Sequence, residues 1–326
     1  MSADQIDALA PAESAQRQVQ AFLDKLNTSG DPPLETLPPE EARQVLSGLQ
    51  SSTQGELRPA EVSQHSIEAD GKQVRLTIVR PPHREGPLPA FMFFHGGGWV
   101  LGDYPTHERL IRDLVAESDA AAVYVDYSRS PEARFPTAID EAYLATQWIA
   151  ANGAEVGIDG SRLAVAGNSV GGNMAAVVAL RSVLEDGPKL RMQMLLWPVT
   201  DARFDTVSYE RFANDHFLTR AMMVWFWNSY ATTAGEREGL YASPLRATHA
   251  QMRNLPPAVI QTAELDVLRD EGEAYARKLD EAGVEVVALR VNGMIHDYGL
   301  LNPLAELPAV QSALRQAAHE IKRRLA

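Results

Sequence analysis

Leu163-Ala164-Val165-Ala166-Gly167-Asn168-Ser169-Val170-Gly171-Gly172 is the stretch on which the reading of this chain turns. Four apolar residues followed by a serine with glycines two positions to either side predict a strand, a sharp turn and a helix. A serine at the apex of so tight a turn leaves no room for flanking side chains, hence glycine at 167 and 171. The turn lifts the hydroxyl clear of the sheet at the N-terminus of the next helix, where a nucleophile would stand. A G-x-S-x-G match alone is moderately specific. Whether Ser169 belongs to a catalytic apparatus depends on what the other strands deliver beside it.

Around this stretch the texture is strand alternating with helix. Val74–Val79 alternates apolar and polar residues, as a half-buried strand does. Ala90–Phe94, Ala121–Val125, Leu163–Ala166, Met192–Trp197, Ala258–Thr262 and Glu285–Val291 are short apolar or β-branched runs. Helix-length segments follow most of them, at Thr106–Ser118, Pro136–Asn152, Asn173–Glu185 and Arg269–Ala282. Such alternation predicts an α/β fold, a mostly parallel central sheet flanked by helices on both faces. We expect the core to occupy residues 56–199 and 253–326.

Two segments stand outside that pattern. Residues 1–55 read as N-terminal helices, with stripes at Val19, Phe22, Leu23, Leu26 and at Ala42, Val45, Leu46, Leu49. Two short amphipathic helices make no core alone, so their stripes must cover something else. Residues 200–252 separate two strands by far more than an ordinary connection and carry Met222, Met223, Trp225, Phe226, Trp227 and Tyr230. Together the two segments are expected to form a helical cap roofing a pocket above the sheet.

Composition narrows the function classes. The 326 residues are 45% apolar, enough for a sizeable core, and the net charge is -13 from 43 acidic and 30 basic residues. That balance disfavours a phosphate backbone or an anionic membrane as partner. No cysteine is present, which excludes disulfides, thiolate metal sites and a cysteine nucleophile. The N-terminus lacks the basic-then-apolar pattern of a signal peptide, and no apolar run reaches 18 residues, so a cytoplasmic protein is expected. Metal-site spacings, the G-x-G-x-x-G fingerprint and the P-loop are all absent, so no metal or cofactor is expected.

Ligands of an open α/β sheet bind at the carboxyl ends of its strands. One strand ends in His95-Gly96-Gly97-Gly98-Trp99, whose glycines suit backbone N–H groups turned toward a developing oxyanion. Another ends in Glu264-Leu265-Asp266-Val267-Leu268-Arg269-Asp270, offering three carboxylates, of which Asp266 is best placed, just past the strand end. The last ends in Asn292-Gly293-Met294-Ile295-His296-Asp297-Tyr298. The order Ser169, Asp266, His296 is that of α/β-hydrolases. Asp297 is expected to point away from the site.

These residues resemble the hormone-sensitive-lipase-like (bacterial family IV) carboxylesterases of the α/β-hydrolase superfamily. His95-Gly96-Gly97-Gly98-Trp99 matches that family's oxyanion motif, and Asp126-Tyr127-Ser128-Arg129-Ser130-Pro131-Glu132 is similar to its D-Y-R-L-A-P-E. Gly167–Asn173 is similar to G-D-S-A-G-G-N, and Asp266–Asp270 to D-P-L-R-D. The resemblance covers most of residues 60–326. It departs at Asn168 (usually aspartate), Val170 (usually alanine) and His296-Asp297-Tyr298 (often H-G-F).

The resemblance implies a serine esterase for short- to medium-chain acyl esters, with catalytic Ser169, Asp266 and His296. The oxyanion hole would be formed by Gly96, Gly97, Gly98 and Val170, with Gly96 shaping the turn. Trp99, Asn168, Trp225 and Phe226 are the candidate pocket residues. The partner is then a small-molecule ester, and relatives suggest a homodimer through the last strand and helix. The same triad serves an amidase or lactonase, and a ligand-binding receptor is the remaining alternative.

Overall fold

The structure, a computed structural model, describes residues 14–53, 56–69 and 71–326. Two helices open it, α1 (Arg17–Asn27) and α2 (Pro39–Ser51). A hairpin of β1 (Glu61–Ala69) and β2 (Lys72–Arg80) follows. The alternating core runs β3 (Leu88–Phe94), α3 (Tyr104–Ser118), β4 (Ala121–Asp126), α4 (Thr137–Asn152), β5 (Ile158–Asn168), α5 (Val170–Leu184) and β6 (Leu190–Leu196). Four helices then interrupt it: α6 (Val207–Arg211), α7 (Arg220–Tyr230), α8 (Ala234–Glu238) and α9 (His249–Met252). The chain returns to the sheet with β7 (Ala258–Leu265), α10 (Arg269–Glu281), β8 (Val286–Ile295) and α11 (Pro308–Leu325).

The eight strands lie in the order β1-β2-β4-β3-β5-β6-β7-β8. β2 is antiparallel to both of its neighbours, and every pairing from β4 to β8 is parallel. The step from β3 to β4 runs one way along the sheet and the step from β4 to β5 reverses it. Right-handed crossovers therefore put α3 and α4 on opposite faces. From β5 to β8 the direction holds, which keeps α5 and α10 on the face of α4, while α11 returns to pack beside α3. The central strands are covered on both faces, so β3 is buried nearly end to end and β5 is buried from Leu163 to Asn168. That burial explains why they read as apolar runs.

β1 went unrecognised in the sequence. Its residues Glu61, Val62, Ser63 and Gln64 are all exposed and, among Glu61–Glu68, only Ile67 is buried, so this edge strand carries almost no hydrophobic signal. The N-terminal stripes partly hold: Val19, Leu23, Ala42 and Leu46 are buried, whereas Val45 is 47% exposed. Residues 1–13 of the expected N-terminal helices, and residues 54 and 55, lie outside the described residues.

Reversal of direction between β3 and β5 opens a crevice at their carboxyl ends. Phe94 pairs with Gly167 across it, which brings the glycine loop after β3 beside the serine turn after β5.

Candidate active site

Ser169 sits between β5 and α5 with φ 56° and ψ -121°, a strained conformation for a non-glycine residue. The surrounding contacts enforce it. Its N–H donates to the Leu196 carbonyl (2.9 Å) and its own carbonyl accepts from Val199 N–H (3.1 Å). A methyl group at Gly171 would overlap the Phe94 carbonyl, so the turn closes only with glycine there.

Ser169 Oγ stands 2.9 Å from His296 Nε2, and His296 Nδ1 stands 2.7 Å from Asp266 Oδ2. A carboxylate only accepts, so the proton is on Nδ1 and Nε2 is free to accept from the serine hydroxyl. Asp266 is itself pinned, because Oδ1 accepts Leu268 N–H at 2.9 Å. All three side chains are nearly or fully buried. Burial, the largest influence on His296, disfavours its charged form; the Asp266 and Asp297 carboxylates together outweigh it and raise the pKa above 6.5.

The rival carboxylates have other employment. Glu264 accepts the Gly293 N–H at 2.5 Å, fixing the start of the histidine loop. Asp270 accepts from Ser208 N–H and Arg269, holding the insertion against α10.

Along the glycine loop, Gly97 and Gly98 have φ of +105° and +64°, and no acceptor among the described residues takes their N–H groups. Val170 N–H, first in α5, is likewise free of an intrahelical partner. Gly96 differs from its expected place in the oxyanion hole. Its N–H is already bonded to Asn168 Oδ1 (3.0 Å) and His107 Nε2 (3.2 Å), so it anchors the loop. His107 thereby reads as neutral, with Nδ1 donating to the Asp103 carbonyl (3.1 Å), and burial pulls its pKa down to about 4.

Of the candidate pocket residues, only Phe226 lines the cavity over Ser169. Trp99 is fully buried behind the loop, stacked on Tyr230 at 3.9 Å between ring centroids, because its φ of +60° turns it away from the serine. Asn168 is fully buried in the hydrogen bonding between loops, and Trp225 packs beside Phe226 without reaching the cavity. Asp297, expected to point away, is turned inward. With φ +58°, it accepts from Trp197 Nε1 (2.7 Å) and Asn168 Nδ2 (3.0 Å), and its Oδ2 lies 3.9 Å from His296 Nε2. No sequence pattern marks His107, Trp197 or Asp297 for these places, since each acts through contacts between distant segments.

The cavity holds about 60 Å³ and is walled by Leu46 and Leu49 of α2, Leu101, and Phe217, Met222 and Phe226 of the insertion. Larger clefts of about 590 Å³ beside β8 and about 440 Å³ beside β2 contain none of the triad.

A family model for the alpha/beta hydrolase fold matches residues 91–300. The chain belongs to the α/β-hydrolase family. It is 61% identical to a thermostable esterase from Pseudomonas putida ECU1011, with a TM-score of 0.95 over 96% of this chain and 98% of the other. An ethyl acetate hydrolase of Pseudomonas putida is 33% identical over 87% of this chain and 92% of its own length. A carboxylesterase of Mycobacterium tuberculosis is 35% identical, over 85% and 87% respectively. The hormone-sensitive-lipase-like branch read from the motifs stands, and within its family this α/β-hydrolase is a carboxylic ester hydrolase. No helix among the described residues is long and apolar enough to cross a membrane.

Proposed function

We propose that Ser169, His296 and Asp266 carry the hydrolysis of short- to medium-chain acyl esters through an acyl-enzyme. His296 Nε2 takes the Ser169 proton as Oγ attacks the ester carbonyl, and Asp266 holds the imidazole in the required tautomer and stabilises its cation. The N–H groups of Gly97, Gly98 and Val170 bond the oxyanion of the tetrahedral intermediate. His296 then protonates the departing alkoxide. Water, activated by the same nitrogen, attacks the acyl carbon and releases the acid and free Ser169. The observation that carries this reading is the unbroken relay from Ser169 Oγ to Asp266 Oδ2, at 2.9 and 2.7 Å, beside two unengaged loop N–H groups.

Chain length follows from the walls. A cavity of about 60 Å³ lined by apolar side chains, Phe226 and Met222 among them, suits a short acyl group. The relative named for ethyl acetate supports the same preference. We expect kcat/KM for the p-nitrophenyl butanoate to exceed that for the hexadecanoate by at least tenfold, and Ser169→Ala to abolish both. Preference for the longer ester would overturn the substrate assignment; activity retained in Ser169→Ala would overturn the nucleophile.

A further inference from the structure

Asn168, the residue before the proposed nucleophile, touches two other loops with the two ends of one amide. Its Oδ1 accepts the Gly96 N–H at 3.0 Å, and its Nδ2 donates to Asp297 Oδ1 at 3.0 Å. A backbone N–H can only donate and a carboxylate only accepts, so these partners fix which end of the amide is which. Gly96 begins the loop carrying Gly97 and Gly98, and Asp297 follows His296. One buried side chain thus spans the nucleophile turn, the oxyanion loop and the histidine loop.

A carboxylate at 168 would still accept from Gly96 but would meet the Asp297 carboxylate with no proton between them. Two buried carboxylates about 3 Å apart cannot both stay ionised. Without Asp297, conversely, the fully buried Asn168 NH₂ would lose the acceptor it has in the structure, and an unsatisfied buried donor is costly. Positions 168 and 297 are therefore in direct contact, so a change of charge or hydrogen-bonding capacity at one is felt at the other. Glycine at position 297 is compatible with the backbone, since φ there is +58°.

We propose that Asn168 is a positioning residue whose amide, paired obligatorily with Asp297, sets the oxyanion loop against the catalytic histidine, so that residues 168 and 297 exchange only together. The proposal rests on the triad reading above.

The test is a double-mutant cycle of N168D, D297G and N168D/D297G against the parent, with kcat and KM measured on p-nitrophenyl butanoate and active sites counted by organophosphonate titration. With Asp297 present, N168D is expected to lower kcat at least tenfold per titrated site while KM stays within threefold, as an oxyanion loop held out of register requires. In the D297G background, the same substitution is expected to lower kcat less than threefold or to raise it. If N168D alone does not fold, N168D/D297G must still fold, titrate and turn over. Equal effects of N168D in both backgrounds, a change confined to KM, or a double variant that neither folds nor turns over would overturn the pairing. Ser169→Ala, assayed alongside, separates that failure from a failure of the triad, because only the latter leaves Ser169→Ala active.

Discussion

At the scale of single residues, the proposed mechanism requires His296 to be neutral when Ser169 attacks its substrate. The folded pKa is raised above 6.5, so the imidazole stays protonated to higher pH than a free histidine and the reaction lacks its base there. The acid limb of kcat/KM is therefore expected to have its midpoint above 6.5, with rate rising as pH rises through it. Asp297→Asn removes one of the two charges responsible and should move that midpoint down; a pH–rate profile from 5 to 9 on both proteins checks the shift. Asp266→Asn should lower kcat by roughly 10⁴-fold through loss of the correct tautomer, measured at the pH optimum. That Ser169, Asp266 and His296 would meet was legible in sequence, because each follows a strand and the chain order is characteristic. Asp297 was not, because its direction is set by a positive φ and by the Trp197 indole, 100 residues away in the chain.

Elements bring a second set of constraints, through the helices above the sheet. Phe226 of α7 lies so close to Gly98 that a methyl group there would overlap its ring, which ties the insertion to the glycine loop. Phe226→Ala should therefore shift preference toward longer acyl esters and cost about 3 kcal/mol or more of stability, as a buried aromatic truncation does. A chain-length series and a denaturant melt of that variant measure the two effects. From the N-terminal side, α2 reaches the same loop through Arg43, which donates to the Val100 carbonyl (2.8 Å) and Ser130 carbonyl (3.0 Å) while pairing with Glu132 (2.7 Å). The amphipathic stripes and the aromatic run announced that these helices cover something. Which aromatics face the cavity could not be read from spacing, since Trp99, Trp225 and Phe226 are all large and apolar and only packing sorts them.

Across the whole molecule, the cost of this arrangement is a buried interior containing neutral histidines. His95 and His107 lie side by side at the glycine loop, 5.3 Å between ring centroids, and burial lowers both pKa values, that of His107 to about 4. The unfolded chain takes up these protons near pH 6.5 and the folded one resists, so stability is greatest above that value and falls as pH drops toward 4. For His107 alone the loss is on the order of 3 kcal/mol. His107→Gln keeps an acceptor for Gly96 N–H without titrating, so its melting temperature should fall less steeply between pH 6.5 and 4.5 than that of the parent; identical slopes would refute the assignment. The sheet itself was legible, since buried parallel strands must be apolar, and only the exposed β1 escaped. All of these elements converge on one oxygen. Treatment with a fluorescent or chromogenic organophosphonate, followed by mass spectrometry of the digested protein, tests that convergence directly. The account predicts a single stoichiometric adduct on Ser169 with complete loss of esterase activity; an adduct on another residue, or full labelling in Ser169→Ala, would contradict it.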